Sequence, residues 1–145
     1  MNKKELADHL HNSKYNCAQA VLLAFADEIG EDKEVLFRIS EGFGFGAGCG
    51  EGICGALSGA IMLAGLKNSD GNLEAPGTKA STYKIAKEMK EKFVAKTGGL
   101  ICKDLKGLDG GKVLCSCPDC IGYAVEVVEE VLGLLLNKES GDFSV

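Results

Sequence analysis

Basic residues are not in excess in this chain: 16 Lys and Arg stand against 21 Asp and Glu, a formal net charge of −5. That balance gives no reason to expect a nucleic-acid surface and leaves basic partners open. No apolar run reaches the ~18 residues a membrane span needs. The longest, Ile53 to Leu66, is broken by three glycines and reads as a buried helix, so no membrane insertion is expected. The opening MNKKELADHLHNSKYNC has no long apolar stretch to serve as a secretory leader, and seven cysteines cannot all pair with one another. Both observations predict a cytoplasmic chain whose cysteines begin as thiols. No stretch alternates as a strand, no solenoid period recurs, Ser58 lacks a G-x-S-x-G setting, and no Ser-His-Asp or paired-carboxylate arrangement can be argued.

What is present is a chain of 145 residues, 46% hydrophobic and 26% charged, which predicts one folded domain over 1–145. Its excesses are 20 Gly and 7 Cys, against 2 Pro and no Trp. Asn2 with Glu5 has capping spacing for a short helix to Asn12. Cys17, Val21, Leu22, Phe25 and Ile29 recur at helical spacing up to Gly30, and Asp32 precedes a third helix with Val35, Leu36 and Ile39. From Gly42 to Gly52 every second residue is glycine, a pattern that permits positive φ and close approach of the backbone to a neighbour or a bound group.

The central helix, Ile53 to Leu66, follows, and its Gly55 and Gly59 are expected to face another helix closely. A turn-rich loop spans Asn68 to Gly77. A charged helix runs from Thr78 to Ala95 with Tyr83, Ala86, Met89 and Phe93 on one side, and a short helix over Leu100–Leu105 carries Cys102. Pro118 opens the last and longest apolar face, and the tail from Asn137 to Val145 is expected to fray. The predicted class is therefore all-α: a compact multi-helix bundle with a Gly-rich loop before a central helix of small residues.

Cysteines fall at 17, 49, 54, 102, 115, 117 and 120, beside elements that must converge in so small a bundle. Cys117 and Cys120 form a C-x-x-C at a helix start, where the macrodipole favours thiolate, the form needed for metal ligation or disulfide exchange. Asp119 beside them opposes thiolate formation. Taken singly, Cys17 and Cys54 on apolar helix faces read as small hydrophobes. No second C-x-x-C completes a zinc signature, since Cys49 and Cys54 are five apart. His9 and His11 read as solvated side chains. Gly50, Gly52 and Gly55 match G-x-G-x-x-G with Asp70 beyond, but no strand precedes the turn, so a dinucleotide site is not expected.

Several stretches together resemble the family of redox-active proteins defined by the C-GCAxxG-C-C pattern. They are Asn16-Cys17, the run GFGFGAGCGEG, Cys54-Gly55-Ala56-Leu57-Ser58-Gly59, Gly99-Leu100-Ile101-Cys102, and Cys120 opening the last helix. The resemblance covers nearly the whole chain. It implies that Cys17, Cys54, Cys102 and Cys120 are the family cysteines and carry redox activity, with Cys49, Cys115 and Cys117 as extras of this sequence.

The same module resembles part of split-Soret cytochromes, where an iron-sulfur centre accompanies haem. Covalent haem needs C-x-x-C-H and Ile121 follows Cys120, so no haem is expected. The expectation is an iron-sulfur cluster, [2Fe-2S], on Cys17, Cys54, Cys102 and Cys120, serving one-electron transfer with a redox partner the sequence does not name. Cys49, Cys115 and Cys117 are possible additional metal ligands. The alternatives are a thiol-disulfide protein using Cys117 and Cys120, or Cys120 with Cys102, and a zinc-stabilised helical binding module. The last apolar face, Ile121 to Leu136 with the run Leu134-Leu135-Leu136, predicts a homodimer, the competing explanation being a helix central in the monomer.

Overall fold

The computed structural model describes the backbone of residues 1–141 and the side chains of residues 1–133. It is all-α. The helices are α1 (Lys3–Asn12), α2 (Cys17–Ala24), α3 (Ala26–Ile29), α4 (Lys33–Ser40), α5 (Gly55–Asn68), α6 (Lys79–Thr97), α7 (Cys102–Lys106) and α8 (Cys117–Gly141). Between α4 and α5 the chain makes a 3-10 turn at Glu41–Phe43 and a wide turn at Gly46–Gly50. Among the described residues the only extended pairing is one antiparallel bridge, Ile53 with Ile101.

Local chemistry sets several of the starts. Asn2 accepts from the Glu5 amide while the Glu5 carboxylate accepts from the Asn2 amide, and Asn16 with Gln19 repeats that reciprocal cap at α2. Asp32 Oδ1 accepts from the amides of Glu34 and Val35 to start α4. The helix expected to run from Cys17 to Ile29 is divided, because the Phe25 amide bonds to Leu22 O, three residues back, and α3 restarts at Ala26. Gly30 and Gly98 end α3 and α6 in the left-handed conformation.

The core forms where α5 lies among α2, α6 and α8. Leu22, Leu57, Leu63, Met89, Phe93, Ile121, Val125, Val128 and Leu132 are buried there, each side chain of that size contributing ~1.5–3 kcal/mol. Gly59 lets α5 sit directly on α2: a Cβ there would meet Ala18 O at 2.7 Å and Val21 Cβ at 3.2 Å. On α6, Met89 and Phe93 face inward as expected, while Tyr83 stands exposed beside the loop at Asn72 and Leu73.

α8 packs on α1, α2, α5 and α6 at once, so its apolar residues from Ile121 to Leu132 are covered largely within the chain. A helix central in the monomer accounts for that part of the face. The side chains of Leu134, Leu135 and Leu136, and the end of the tail expected from Asn137, lie outside the described residues.

Candidate functional site

Four helices begin around one cavity, and each carries a cysteine at its start. Cys17 opens α2, Cys54 is the residue preceding α5, Cys102 opens α7 and Cys117 opens α8. All four line a cavity of about 370 Å³, with Gly55, Asn16, His11, Phe45, Lys106 and Leu108 completing its wall. The first amides of a helix are unpaired and carry its positive dipole end, so the arrangement directs positive potential at the sulfurs.

Backbone pairing explains how residues so far apart in sequence meet. The Cys54 amide donates to Leu100 O at 2.8 Å and the Cys102 amide to Gly52 O at 2.9 Å, flanking the Ile53–Ile101 bridge. In an antiparallel pair, residues one step from a bridged pair point to the opposite face, so Cys54 and Cys102 leave on the same side. The segment after α7 is folded back by the amides of Leu114 and Cys115, both donating to Leu105 O. Gly107, at φ 66°, permits this return, since a Cβ there would meet Gly111 O at 2.6 Å. Ser116 Oγ then accepts from the Asp119 amide, capping α8 beside α7. The helix starts at Cys117, which makes Pro118 its second residue.

The glycine run supplies the lid. Phe45, Gly46, Ala47 and Gly48 have φ of 53°, 54°, 60° and 77°, a left-handed turn in which Phe45 and Ala47 each bear ~1–2 kcal/mol of strain. A Cβ at Gly46 would stand 2.5 Å from Cys102 Cβ, and one at Gly55 would stand 2.5 Å from Cys17 Sγ and 2.7 Å from Phe43 O. The turn is thereby pressed onto the cysteines. Asn16 anchors it, its Nδ2 donating to Glu41 O at 2.8 Å while its side chain fills the space over Gly44.

Burial is the foremost influence on three of the thiols. It pushes Cys17 up, against the pull of the Phe45 amide hydrogen bond, and it pushes up Cys102 and Cys115, against the pull of Lys106. Cys54 is raised furthest, first by its hydrogen bond to Cys120 and then by burial. Burial lowers the Lys106 ammonium, but Cys54, the hydrogen bond to Cys120, and Cys117 together outweigh it, and the net shift is upward.

Cys120 sits behind the cavity wall, fully buried. Its Sγ donates to Cys115 O at 3.7 Å and accepts from Lys106 Nζ at 3.2 Å, and its thiol raises that of Cys54. The structure therefore brings Cys17, Cys54 and Cys102 to one cavity, with Cys120 acting on the set through Cys54. Of the three extra cysteines, Cys117 is on the wall, Cys115 is behind it beside Cys120, and Cys49 is exposed with its Sγ 3.6 Å from Gly46 O. All seven are free thiols.

Two polar wall residues were not expected at the site. His11, expected to be solvated, is half-buried with Nδ1 3.2 Å from Tyr15 O, because the last turn of α1 abuts the start of α2. Since a carbonyl only accepts, Nδ1 carries the proton. Lys106 had a usable signal: it follows Cys102 by four residues and so shares its helix face. Gly50, Gly52 and Gly55 form no dinucleotide turn, as no strand precedes them among the described residues and Gly55 is packed on Cys17.

Among the described residues no three His, Cys, Asp or Glu side chains stand close enough together to hold a single metal ion. The cysteines surround a space instead. A family model described as "Putative redox-active protein (C_GCAxxG_C_C)" matches residues 15–131. No curated protein and no solved structure matches the chain.

Proposed function

The chain belongs to the C-GCAxxG-C-C family of redox-active proteins, and from that premise we propose that its cysteine-lined cavity holds an iron-sulfur centre, [2Fe-2S], for one-electron transfer. The observation that carries the proposal is the cavity itself, bounded by four helix starts that each present a cysteine. The donor set fits the group. Thiolates ligate such clusters, and the cysteines lining the cavity supply that kind of donor.

Cys17, Cys54 and Cys102 would hold the centre from the cavity wall, and the fourth ligand would be either Cys120, the family cysteine behind the wall, or Cys117, which stands on it. The centre would supply a single-electron couple. The chain's own residues do the rest: four helix starts and Lys106 offset the negative charge of thiolates, and the turn at Phe45–Gly48 covers Cys17 and Cys102. Burial of the thiols opposes their ionisation in the empty protein, so deprotonation accompanies metal binding.

Iron and acid-labile sulfide analysis of anaerobically purified protein tests this. Stoichiometric iron and sulfide, lost in Cys54→Ala and kept in Cys49→Ser, are expected; a colourless zinc protein would refute it. A second reading is supported by the burial of Cys54 and Cys120 together, with Cys120 the foremost influence on the acidity of Cys54. In that reading the two thiols exchange with an added small-molecule disulfide, which takes up their two electrons and two protons and leaves as two thiols while the protein disulfide forms. A metal-free protein that reversibly loses two thiols, and fails to do so as Cys120→Ala, would support it.

A further inference from the structure

We propose that Lys106 is the charge-compensating residue of the cysteine site: its ammonium stabilises negative charge on the Cys120 sulfur and, on the iron-sulfur reading above, holds the reduction potential of the centre above what the cysteines alone would set. Lys106 ends α7 one turn after Cys102, so both side chains leave one helix face and line one cavity. Its Nζ donates to Cys120 Sγ at 3.2 Å and to Cys115 O at 3.4 Å. Its hydrogen-bond partners are thus a sulfur and a carbonyl. The carboxylates of the described ion pairs engage other lysines: Lys3, Lys4, Lys33, Lys92, Lys96 and Lys103.

The groups facing this ammonium are the thiols of Cys17, Cys54, Cys102, Cys115, Cys117 and Cys120, each electrostatically coupled to it. Asp119 is the carboxylate that acts on Cys115 nearby. In the step concerned, one electron from an added reductant such as dithionite enters the centre, and no bond forms or breaks. That electron adds a negative charge shared with the ligand sulfurs. A fixed ammonium donating to a sulfur of the site favours the reduced form, since hydrogen bonds to sulfur and local net charge are levers on such potentials.

The test compares wild type with Lys106→Met, which keeps the stem and removes the charge, and Lys106→Arg, which keeps the charge. Iron and sulfide per chain are measured on anaerobic protein, and the midpoint potential by reductive titration, with circular dichroism as the check of folding. The Met variant is expected to keep its iron at a lower potential, or to lose iron that the Arg variant retains. Full iron and an unchanged potential in the Met variant would overturn the role of Lys106 while leaving the cluster reading intact, as would loss of iron from both variants. Wild type without iron or sulfide would overturn the cluster reading instead. The effect of Lys106 on the potential falls with that reading.

Discussion

The contact between α2 and α5 can be tested by making one substitution at two places in one helix. Gly59→Ala would place a Cβ 2.7 Å from Ala18 O and 3.2 Å from Val21 Cβ. Comfortable carbon–oxygen contacts lie near ~3.3–3.6 Å, so α2 and α5 must part by roughly 0.7 Å. A gap of that size forfeits about a quarter to a half of each dispersion well along the interface, and overpacking of this kind costs ~1–3 kcal/mol. Relief of the helical glycine returns about 0.5–1 kcal/mol. The obstructing atom is backbone and cannot swing aside, so the cost wins, by roughly 1 kcal/mol.

Gly65 lies in the same helix with nothing within 4 Å of its would-be Cβ, so Gly65→Ala keeps only the gain. At roughly 3 °C per kcal/mol for a chain of this size, Tm should fall by about 3 °C in the first variant and rise by about 2 °C in the second. Thermal unfolding followed by circular dichroism reads both. Because α2 and α5 carry Cys17 and Cys54 at their starts, iron content should drop in Gly59→Ala alone. A Gly59→Ala protein as stable as Gly65→Ala would refute the claim that backbone contact sets this interface.

Three further outcomes follow from the same geometry. Asn16→Ala removes the cap of α2 and the bond to Glu41 O, so urea unfolding should show a loss of about 1–2 kcal/mol together with reduced iron, whereas Asn2→Ala, a cap remote from the cavity, should cost about 0.5–1 kcal/mol and leave iron unchanged. The thiols of Cys17, Cys54, Cys102 and Cys115 are raised in the fold, so the stability they share is complete below the ordinary thiol pKa of about 8.5 and is lost as pH rises beyond it. Denaturation of reduced, metal-free protein at increasing pH should show that decline, and a flat profile would contradict it. Glu126 is lowered first by Lys4 and then by Lys96, so the small benefit of its carboxylate is present above the ordinary value of about 4.3 and fades as pH falls below it; Glu126→Gln should be destabilising at pH 7 and neutral near pH 3.

Helix starts were legible because they depend on neighbours three residues away. Asn2 with Glu5 and Asp32 ahead of Val35 mark their helices in the sequence just as they cap them in the fold. The end of α3 at Gly30 was legible for the same reason. The break at Phe25 was not, since Leu22, Phe25 and Ile29 keep helical spacing across it and only the bond from Phe25 to Leu22 O reveals the change. The glycine run announced positive φ at alternate positions. The backbone instead bends through four consecutive residues, including Phe45 and Ala47, because packing against Cys102 and Gly52 holds them there.

The sequence by itself determined the helical class and the close face of Gly55 and Gly59, properties of short spacing and residue type, and its motifs pointed to the family that matches residues 15–131. Which sulfurs share a space was decided only by tertiary structure. Cys54 and Cys102 are set side by side by an isolated bridge that no alternating pattern announces, and Cys117 rather than Cys120 reaches the cavity wall because α8 turns Cys120 inward toward Cys54. Lys106 meets Cys120 across 14 positions of sequence, through a loop folded back on α7. Spacing along a chain fixes which face of a helix a residue occupies, but the partner of that face depends on where the other helices stop and turn.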